Sequence, residues 1–468
     1  MTISLKFLGA TRNVTGSCYL LETATARVIV DCGLYQEREF APRNWAPSPA
    51  RPSALDAIIL THAHLDHCGL LPKIVREGFA GPVICTEATA EIARIVILDS
   101  AKLQEEDAAF KRKRHEREGR KDKEPAEPLY TVKEAETALT HLKPVKYGKP
   151  VTVARGVVAD FVDAGHILGS AMVRFTVTDG GTVRKVLFSG DVGRWDAPIL
   201  QNPTLVAEAD FVLVESTYGD RVHDDESAIE AKLARIVNAT CKAGGNVVIP
   251  AFAIERAQEV IYRLNNLRRA GKLPHVPVFL DSPMAVKVTE IFNRHPELFD
   301  DEARDLLRRG EHPCDFADLH LVRSTEESKA LNVRKGASII LAGSGMCTGG
   351  RIKHHLVNNI TRPESTILFV GFQASGTLGR ILLEGAADVR LFGQIFPVRA
   401  KVAKINGFSG HADREELDRW LSGIKQAPRR VFVIHGEPNA AEAFAAQIRA
   451  RHNWTVTVPS YGEQVELE

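Results

Sequence analysis

Apolar residues in the first hundred positions group into short runs, which polar residues, glycine and asparagine separate. The runs ISLKFLGA, GSCYLLET and ARVIVDCG predict an antiparallel meander of strands. The run LDAIILTHAH is continuously apolar before it turns polar, which predicts a buried strand that delivers a loop to one edge of a sheet. Residues 70–79 and 88–107 place apolar positions three and four apart and predict helices.

Farther along the chain, apolar runs alternate with amphipathic stretches, as in GGNVVIPAF followed by ERAQEVIYRLNNLRRA. Alternation of strands and helices predicts a parallel, Rossmann-like layer. Short strands and the helix DREELDRWLSGI return near the C-terminal end. The simplest organisation is one domain interrupted by another. We therefore expect residues 1–205 and 395–468 to form the first domain and residues 206–394 to form the inserted domain.

The composition is that of an ordinary globular enzyme, with 468 residues, 60 Lys and Arg against 59 Asp and Glu, and a formal net charge of +1. This balance argues against a surface that is cationic throughout, although it allows a local basic groove. Seven cysteines without a C-x-x-C pair exclude a disulfide framework and favour a reducing cytoplasm. Because no run of 18 apolar residues and no signal-peptide pattern occurs, we expect a soluble cytoplasmic protein without membrane contact.

A charged segment at residues 111–123 (KRKRHEREGRKDK) has no apolar periodicity. It is either a solvated helix end or loop, or an arm that contacts a polyanion. Acidic residues interleave with the basic ones, so the segment itself does not decide between these interpretations.

The strongest chemical signal is the sequence H-A-H-L-D-H at residues 62–67, directly after the predicted buried strand. Residues two apart in an extended segment point the same way, so His62 and His64 can converge on one ion. Asp66 and His67 fall in the following turn and can reach a second ion. Imidazole nitrogens and carboxylate oxygens are ordinary zinc ligands at about 2.0–2.2 Å. Packing explains the cluster poorly, because desolvating so many titratable groups without a partner is costly.

Three further polar residues end apolar runs, namely His166 in DAGHILGSA, Asp191 in SGDVGR and His435 in IHGEPN. Each alone is equally well explained as a loop residue that bonds to backbone. Together they complete two coordination spheres, in which one metal is held by His62, His64 and His166, the other by Asp66, His67 and His435, and Asp191 is the bridge. Two metals about 3.5–4 Å apart activate water and stabilise charge on a phosphoryl oxygen. Asp31 either orients a ligand histidine or forms a turn.

This ordered set of residues resembles the metallo-β-lactamase fold, an αββα sandwich of hydrolases. Later motifs resemble those of the β-CASP nucleases, whose sandwich carries an inserted domain. Glu215 in VESTYGD matches the acidic motif that opens the insertion, and His411 in FSGHADREEL and His435 in IHGE match the histidine motifs that follow it. The resemblance covers essentially the whole chain. It implies an α/β fold, with an αββα metallo-β-lactamase sandwich and an inserted Rossmann-like β-CASP domain.

Residue types within these motifs narrow the implied activity. In this family a histidine at the third motif accompanies members that act on RNA, whereas valine accompanies those that act on DNA, so His435 favours RNA. The segments GSGMCTGGR and GFSGHAD resemble the cleavage-and-polyadenylation endonuclease branch more than the RNase J branch. The resemblance thus implies a ribonuclease that hydrolyses single-stranded RNA with two zinc ions, manganese being the alternative metal. We expect endonucleolytic cleavage, and 5′-exonucleolytic action is the alternative that the sequence leaves open. Homodimers are common among relatives, but no motif here demonstrates one.

The leaving ribose oxygen needs a proton, and His411 is the candidate general acid, with Glu215 favouring its charged form. Asp66 and Asp191 complete the predicted catalytic set. Without the family resemblance, His411 would be better explained as a residue that caps the helix beginning at DREEL.

Two glycine-rich segments of the inserted domain, GSGMCTGGR and FQASGTLGR, are candidate phosphate-binding loops because they offer backbone N–H groups without side-chain obstruction. A tight turn is the alternative for the first of them. Arg351 and Arg380 pair either with phosphates or with surface carboxylates. A cleft between two domains would admit a single strand more readily than a duplex. The candidate RNA-binding residues are Gly343, Ser344, Gly345, Gly349, Gly350, Arg351, Ser375, Gly376, Thr377 and Arg380.

Three other functions remain open. A small-molecule hydrolase such as a lactonase or thioesterase can use the same dimetal site, although the long insertion with Glu215 and His411 argues against it. A DNA-processing nuclease is a second alternative. A non-catalytic scaffold is disfavoured because all seven predicted ligand positions are filled by ligating residues.

Overall fold

The computed structural model describes four stretches of the chain, residues 3–118, 126–223, 228–374 and 376–468. The chain divides into two compact units. The first comprises Met1–Trp195, Asn202–Val222 and His411–Glu468, and the second comprises Asp196–Gln201 and His223–Gly410. Among the described residues, no helix combines the length and the apolarity needed to span a bilayer.

The first unit contains two seven-stranded sheets. In spatial order, the first sheet consists of β22 (Gln464–Glu466), β1 (Ser4–Phe7), β2 (Tyr19–Glu22), β3 (Arg27–Val30), β4 (Ala57–Ile59), β5 (Val83–Thr86) and β6 (Leu142–Val145). The strands from β22 to β3 pair antiparallel, which confirms the predicted meander, and those from β3 to β6 pair in parallel. The parallel half is joined through α1 (Leu65–Cys68), α2 (Leu71–Arg76), α3 (Glu87–Glu118) and α4 (Val132–Leu139). Helix α3 contacts β5 and β6.

The second sheet of this unit consists, in spatial order, of β21 (Val456–Thr457), β20 (Arg430–Ile434), β11 (Phe211–Glu215), β10 (Thr182–Phe188), β9 (Ala171–Asp179), β8 (Val157–Asp163) and β7 (Val151–Ala154). The strands from β7 to β10 form an antiparallel meander, and β10, β11, β20 and β21 pair in parallel. Two helices belong to this half, α12 (Arg414–Leu421) and α13 (Pro438–His452).

Apolar side chains from both sheets meet in one core. Phe7 of the first sheet packs 5.1 Å from Phe432 of the second, measured between ring centroids, and Phe175 and Phe188 pack edge to face beside them. The other face of the second sheet packs in a separate cluster with α12 and α13, in which Trp420 is almost fully buried. Burial of each such side chain stabilises the fold by about 1.5–3 kcal/mol. The layers confirm the predicted αββα sandwich.

The second unit is built on a six-stranded sheet in which every pairing is parallel. In spatial order its strands are β14 (Leu319–Leu321), β13 (Val278–Asp281), β15 (Ile339–Ala342), β12 (Val247–Pro250), β16 (Thr366–Phe369) and β19 (Lys401–Lys404). The helices of this unit are α5 (Ile229–Lys242), α6 (Arg256–Arg269), α7 (Pro283–Phe292), α8 (Asp301–Arg308), α9 (Thr325–Val333), α10 (Ile352–Asn359) and α11 (Leu378–Leu383), and β17 (Asp388–Leu391) and β18 (Gln394–Pro397) form a hairpin. Strands β12, β15 and β16 are buried along their whole length, as expected for a parallel sheet covered on both faces. The predicted Rossmann-like layer is confirmed.

Two strands lie on the opposite side of the domain boundaries expected at 205/206 and 394/395. Strand β11 pairs with β10 and β20, so its residues belong to the sandwich. Strand β19 pairs with β16, so its residues belong to the six-stranded sheet. The sequence of a short strand does not show which sheet the strand joins, because only its pairing partners decide this.

The charged segment at residues 111–123 is described only in part. Residues 111–118 continue α3 to its end and are mostly exposed, which agrees with a solvated helix end. Residues 119–123 lie outside the described residues.

Candidate metal centre

The H-A-H-L-D-H residues lie in the loop after β4, at the carboxyl end of that strand. His64 has extended backbone and directly precedes α1, and Asp66 and His67 lie in the single turn of that helix. This change from extended chain to helix turns the second pair of candidate ligands away from the first.

Four side chains converge on a first position. His64 Nδ1 lies 3.1 Å from His62 Nε2 and 3.3 Å from His166 Nε2. Asp191 Oδ2 lies 3.4 Å from His62 Nε2 and 3.5 Å from His166 Nε2. Atoms bound about 2.0–2.2 Å from a tetrahedral zinc ion are separated from one another by about 3.3–3.6 Å. The four ligand atoms therefore fit one zinc ion.

A second position adjoins the first. His67 Nε2 and His435 Nε2 are 3.1 Å apart, and Asp66 Oδ2 lies 3.6 Å from His435 Nε2. The other oxygen of Asp191, Oδ1, lies 3.3 Å from His67 Nε2. This buried oxygen accepts no hydrogen bond of normal geometry from any described residue. Asp191 thus presents one oxygen to each position, as a bridging ligand requires.

Asp31 and Thr61 set the orientation of two of the histidines. His67 donates from Nδ1 to Asp31 Oδ2 over 2.7 Å, and the same oxygen accepts from the Thr61 hydroxyl over 2.8 Å. Since the hydroxyl hydrogen is used in this way, Thr61 Oγ1 accepts from His62 Nδ1, 3.1 Å away. Each ring then carries its free lone pair on Nε2, aimed at the centre, which is the arrangement that a metal-binding imidazole needs.

Thr217 gives His435 the same orientation. Its hydroxyl donates to the carbonyl oxygen of His435 and accepts from Nδ1 of that ring over 3.0 Å. The lone pairs of His67 Nε2 and His435 Nε2 therefore face each other at 3.1 Å. Two such lone pairs repel unless a cation lies between them. The donor set of the site consequently fits a metal ion.

The electrostatics of the site divide the histidines into two groups. Burial lowers the pKa of His62 well below its usual value and that of His64 to about 4, so both rings are neutral and able to bind metal. Burial acts in the same direction on His67 and His435, but Asp191 together with Asp31 at His67 and with Asp66 at His435 outweighs it and raises the pKa of both. A cation must compete with protons for these two rings, so metal affinity falls as the pH falls.

A histidine–carboxylate pair borders the two positions. His411 Nδ1 lies 3.1 and 3.2 Å from the two oxygens of Glu215 and 3.8 Å from Asp191 Oδ2. Glu215 is itself held by the backbone N–H groups of Val192, at 2.7 Å, and Thr217, at 3.3 Å. The pair therefore has a fixed position beside the bridging carboxylate.

The alternative explanation of His411 as a helix cap is wrong. Asp413 caps α12 through its side chain, and Glu416 completes a capping box with it. His411 precedes this cap by two residues, and one fifth of its side chain is exposed.

Close approach of two loops brings Asp191 to His166. A Cβ added to Gly193 would lie 1.8 Å from the carbonyl oxygen of Gly165 and 2.7 Å from the backbone nitrogen of His166. Any larger residue at position 193 would therefore separate these two ligands.

The sequence analysis missed Thr61 and Thr217, which orient three of the histidines. Thr61 directly precedes His62, and Thr217 follows Glu215 by two residues at the end of β11. A hydroxyl residue adjoining a predicted ligand at a strand end is the signal that could have identified them.

The glycine-rich loops and their arginines lie in the second unit. Arg351 binds Asp281 through Nη1 at 2.6 Å, and Arg380 binds Glu384 through Nε at 2.7 Å. Both contacts favour the ion-pair alternative over phosphate binding. In the first loop, Ser344 accepts from the backbone N–H groups of Cys347 and Thr348, so part of the predicted phosphate nest is a closed turn. Gly376 and Thr377 are described, whereas Ser375 lies outside the described residues.

Replacing Asp31 by asparagine is expected to weaken zinc binding by about 10- to 100-fold, in the range found for residues that orient metal ligands. Asparagine tolerates the positive φ of 61° at this position. Its amide nitrogen, however, would face the Nδ1–H of His67, and the tautomer of that ring would be lost. Zinc affinity is measured by competition with a chromophoric chelator. Asp56→Asn, which alters an aspartate that accepts from the backbone N–H of Arg27, is the matched control, and an equal loss there would contradict the role of Asp31.

Comparison with known proteins agrees with this geometry. Three family models match the chain, the metallo-beta-lactamase superfamily at residues 11–196, the Beta-Casp domain at residues 257–382 and the Zn-dependent metallo-hydrolase RNA specificity domain at residues 395–459. A crystal structure of a protein of unknown function from Enterococcus faecalis V583 covers 100% of both chains with a TM-score of 0.56 at 13% sequence identity, which shows a shared fold.

Two characterised relatives extend over nearly the whole chain. It is 32% identical over 470 residues to the transcription termination factor FttA of Methanocaldococcus jannaschii, a match that covers 98% of this chain and 70% of the relative. It is 39% identical over 459 residues to Ribonuclease TTHA0252 of Thermus thermophilus, a match that covers 98% of this chain and 99% of the relative. The chain belongs to the β-CASP ribonuclease family of the metallo-β-lactamase superfamily, as its ordered motifs predicted.

Proposed function

We propose that this protein is a dimetal zinc ribonuclease that cleaves single-stranded RNA internally. The observation that carries the proposal is the convergence of seven ligand side chains on two adjoining positions, with one oxygen of Asp191 at each. The relative named as a ribonuclease and the matching RNA specificity domain support RNA as the substrate.

The chain would hold the metals with the residues that the sequence predicted. One zinc ion takes His62, His64, His166 and Asp191, and the other takes Asp66, His67, His435 and Asp191. When bound, a zinc pair lowers the pKa of water and neutralises the charge that develops on the phosphoryl group. Asp31, Thr61 and Thr217 keep the imidazole lone pairs aimed at these positions before substrate arrives.

His411 would supply the proton that the leaving ribose oxygen needs. Burial by itself lowers the pKa of His411, but Glu215 and Asp191 outweigh it and raise the pKa to about 9. The ring is therefore an imidazolium at neutral pH. Because Glu215 accepts from Nδ1, Nε2 is the nitrogen that carries the transferable proton.

A circular single-stranded RNA tests the proposal directly, because it offers no end to an exonuclease. The zinc-loaded protein should linearise the circle and then shorten it, and a chelator should abolish cleavage until zinc is restored. A single-stranded DNA circle of the same sequence should be cut far more slowly. Faster cleavage of the DNA circle would favour a DNA-processing nuclease. A zinc-loaded protein that cuts neither circle but hydrolyses a lactone or thioester would favour the small-molecule hydrolase.

Replacing Glu215 by glutamine should shift the pH dependence of RNA cleavage. In the wild type the rate falls as the pH rises through the pKa of His411, because the proton donor is lost. Removing the Glu215 carboxylate lowers this pKa, so the fall should begin at a lower pH, by one unit or more if the carboxylate contributes about 1.4 kcal/mol or more. The measurement is kcat against pH from about pH 6 to pH 10 at saturating zinc. An unshifted basic limb would contradict the pairing of Glu215 with the catalytic proton.

A further inference from the structure

We propose that Phe252 and Phe372 form a stacking site for a base of single-stranded RNA in the second unit. The inference rests on the proposed ribonuclease function and adds a binding site to it. Both rings are exposed although they are large and apolar, with 41% and 52% of their surface accessible. Neither lies in the metal-binding unit.

The sheet brings the two rings to one edge. Phe252 follows β12 and Phe372 follows β16, and these strands are adjacent and parallel. Strand β15, the other neighbour of β12, leads into the glycine-rich segment that begins at Gly343. In open parallel sheets, ligands bind in the loops beyond the carboxyl ends of the strands, which is where these three segments lie.

The backbone of two glycines lies beneath the ring of Phe252. A Cβ added to Gly345 would lie 2.8 Å from Cδ2 and 2.9 Å from Cε2 of that ring, and one added to Gly371 would lie 3.8 Å from Cε2. The ring therefore lies directly on the backbone at Gly345 and extends to Gly371, the residue before Phe372. A side chain at position 345 would displace the Phe252 ring. Contact with this ring, and not only a tight turn, therefore explains why position 345 is glycine.

Gln373 links the loop after β15 to the loop after β16 by hydrogen bonds. Its side-chain nitrogen donates to the carbonyl oxygens of Gly345, at 2.9 Å, and Phe372, at 3.0 Å. The side chain is almost fully buried. The backbone beneath both rings is thus held in place before a ligand binds, which reduces the entropy lost on binding.

The charges around the two rings favour a nucleic acid. The loops at residues 343–350 and 370–377 contain no acidic residue. Glu255, three residues after Phe252, is buried, and Asp281 at the end of β13 is buried and paired with Arg351. A polyanion would meet no exposed carboxylate in these loops, while the rings offer the flat apolar faces on which bases stack. A single strand has unpaired bases for such contact, whereas a duplex does not.

The test measures binding of a fluorescent single-stranded RNA to the zinc-loaded full chain by anisotropy, with His411→Ala in every sample so that the RNA is not cut. Phe252→Leu and Phe372→Leu should each weaken binding by about 5- to 100-fold, since they remove a stacking face and keep an apolar side chain. Phe252→Tyr and Phe372→Tyr should bind as the parent does. Phe392→Leu is the matched control, because this phenylalanine of the same unit is 56% exposed and stacks on His354 in another part of the unit.

RNA that carries single abasic positions gives an independent readout. The parent should lose affinity when the abasic position meets the rings, and the leucine variants should lose much less at that position. Unchanged affinity of the leucine variants, or equal weakening by Phe392→Leu, would overturn the proposal. A thermal unfolding midpoint equal to that of the parent excludes misfolding of the variants.

Failure of this inference is distinguishable from failure of the proposed function. Bis(p-nitrophenyl) phosphate has no base, so in chains with His411 intact its zinc-dependent hydrolysis should be the same with and without the leucine substitutions. If RNA circles are cleaved but the leucine variants bind normally, the stacking site is wrong and the ribonuclease stands. If neither RNA nor this phosphodiester is hydrolysed, the proposed function itself is wrong.

Discussion

Replacing Asp191 by alanine is expected to lower the rate of RNA cleavage by roughly 10³- to 10⁴-fold. Losses of this size are typical when one member of a group of residues that act together in catalysis is removed. Among the residues that the structure describes, Asp191 alone reaches both proposed metal positions, through Oδ2 at the first and Oδ1 at the second. Its loss would remove a ligand from each ion and the negative charge that lies within 3.8 Å of five imidazoles. Zinc content should fall from two ions per chain to one or fewer, as measured by elemental analysis after dialysis.

Asp163 provides the matched control for this prediction. It is a half-buried aspartate at the end of β8 in the same sheet, where desolvation raises its pKa to about 7, and it accepts from the backbone N–H of Gly165 at 2.8 Å. Asp163→Asn preserves that acceptor and should retain both zinc ions and the parental activity. Two zinc ions per chain in Asp191→Ala would contradict the bridging role.

Replacing His411 by alanine is expected to lower kcat for RNA by about 10²- to 10⁴-fold while the zinc content stays unchanged. The ring sits beside the metal positions, 3.8 Å from the bridging carboxylate, and is held by Glu215. If its role is proton donation, the loss should be smallest for an RNA whose leaving oxygen is replaced by sulfur, because a thiolate leaves without a proton. Rates on the two substrates, with zinc content measured in parallel, provide the test.

His452 is the control for His411, since it also pairs with a buried carboxylate in the same unit, Asp418, at 2.9 Å. His452→Ala should leave both rates close to those of the parent. Loss of zinc from His411→Ala would instead indicate that His411 is a metal ligand. Its distances from Asp191 and Glu215 also permit that role. An equal loss on both substrates would argue against proton transfer.

Much of the fold followed from local pattern. The apolar run before His62 predicted a buried strand, and the alternating strands and helices after β11 predicted a parallel layer, because both patterns repeat within a few residues. The domain boundaries did not follow. Strands β11 (FVLVE) and β19 (KVAK) are short runs that either sheet could accept, and their pairing is decided by residues far away in the chain.

In the candidate site, too, some features follow from local sequence and others only from contacts between distant residues. By itself the sequence determined the family and predicted the candidate ligands and their order, because each candidate lies in a short motif at a strand end. Only the tertiary structure decided that Thr61 and Thr217 aim the rings, that Arg351 is bound to Asp281, and that Phe252 lies on Gly345. These contacts join residues from separate strands or loops. Hydrogen bonds and ring contacts act over a few ångströms, so they exist only after folding has brought those segments together.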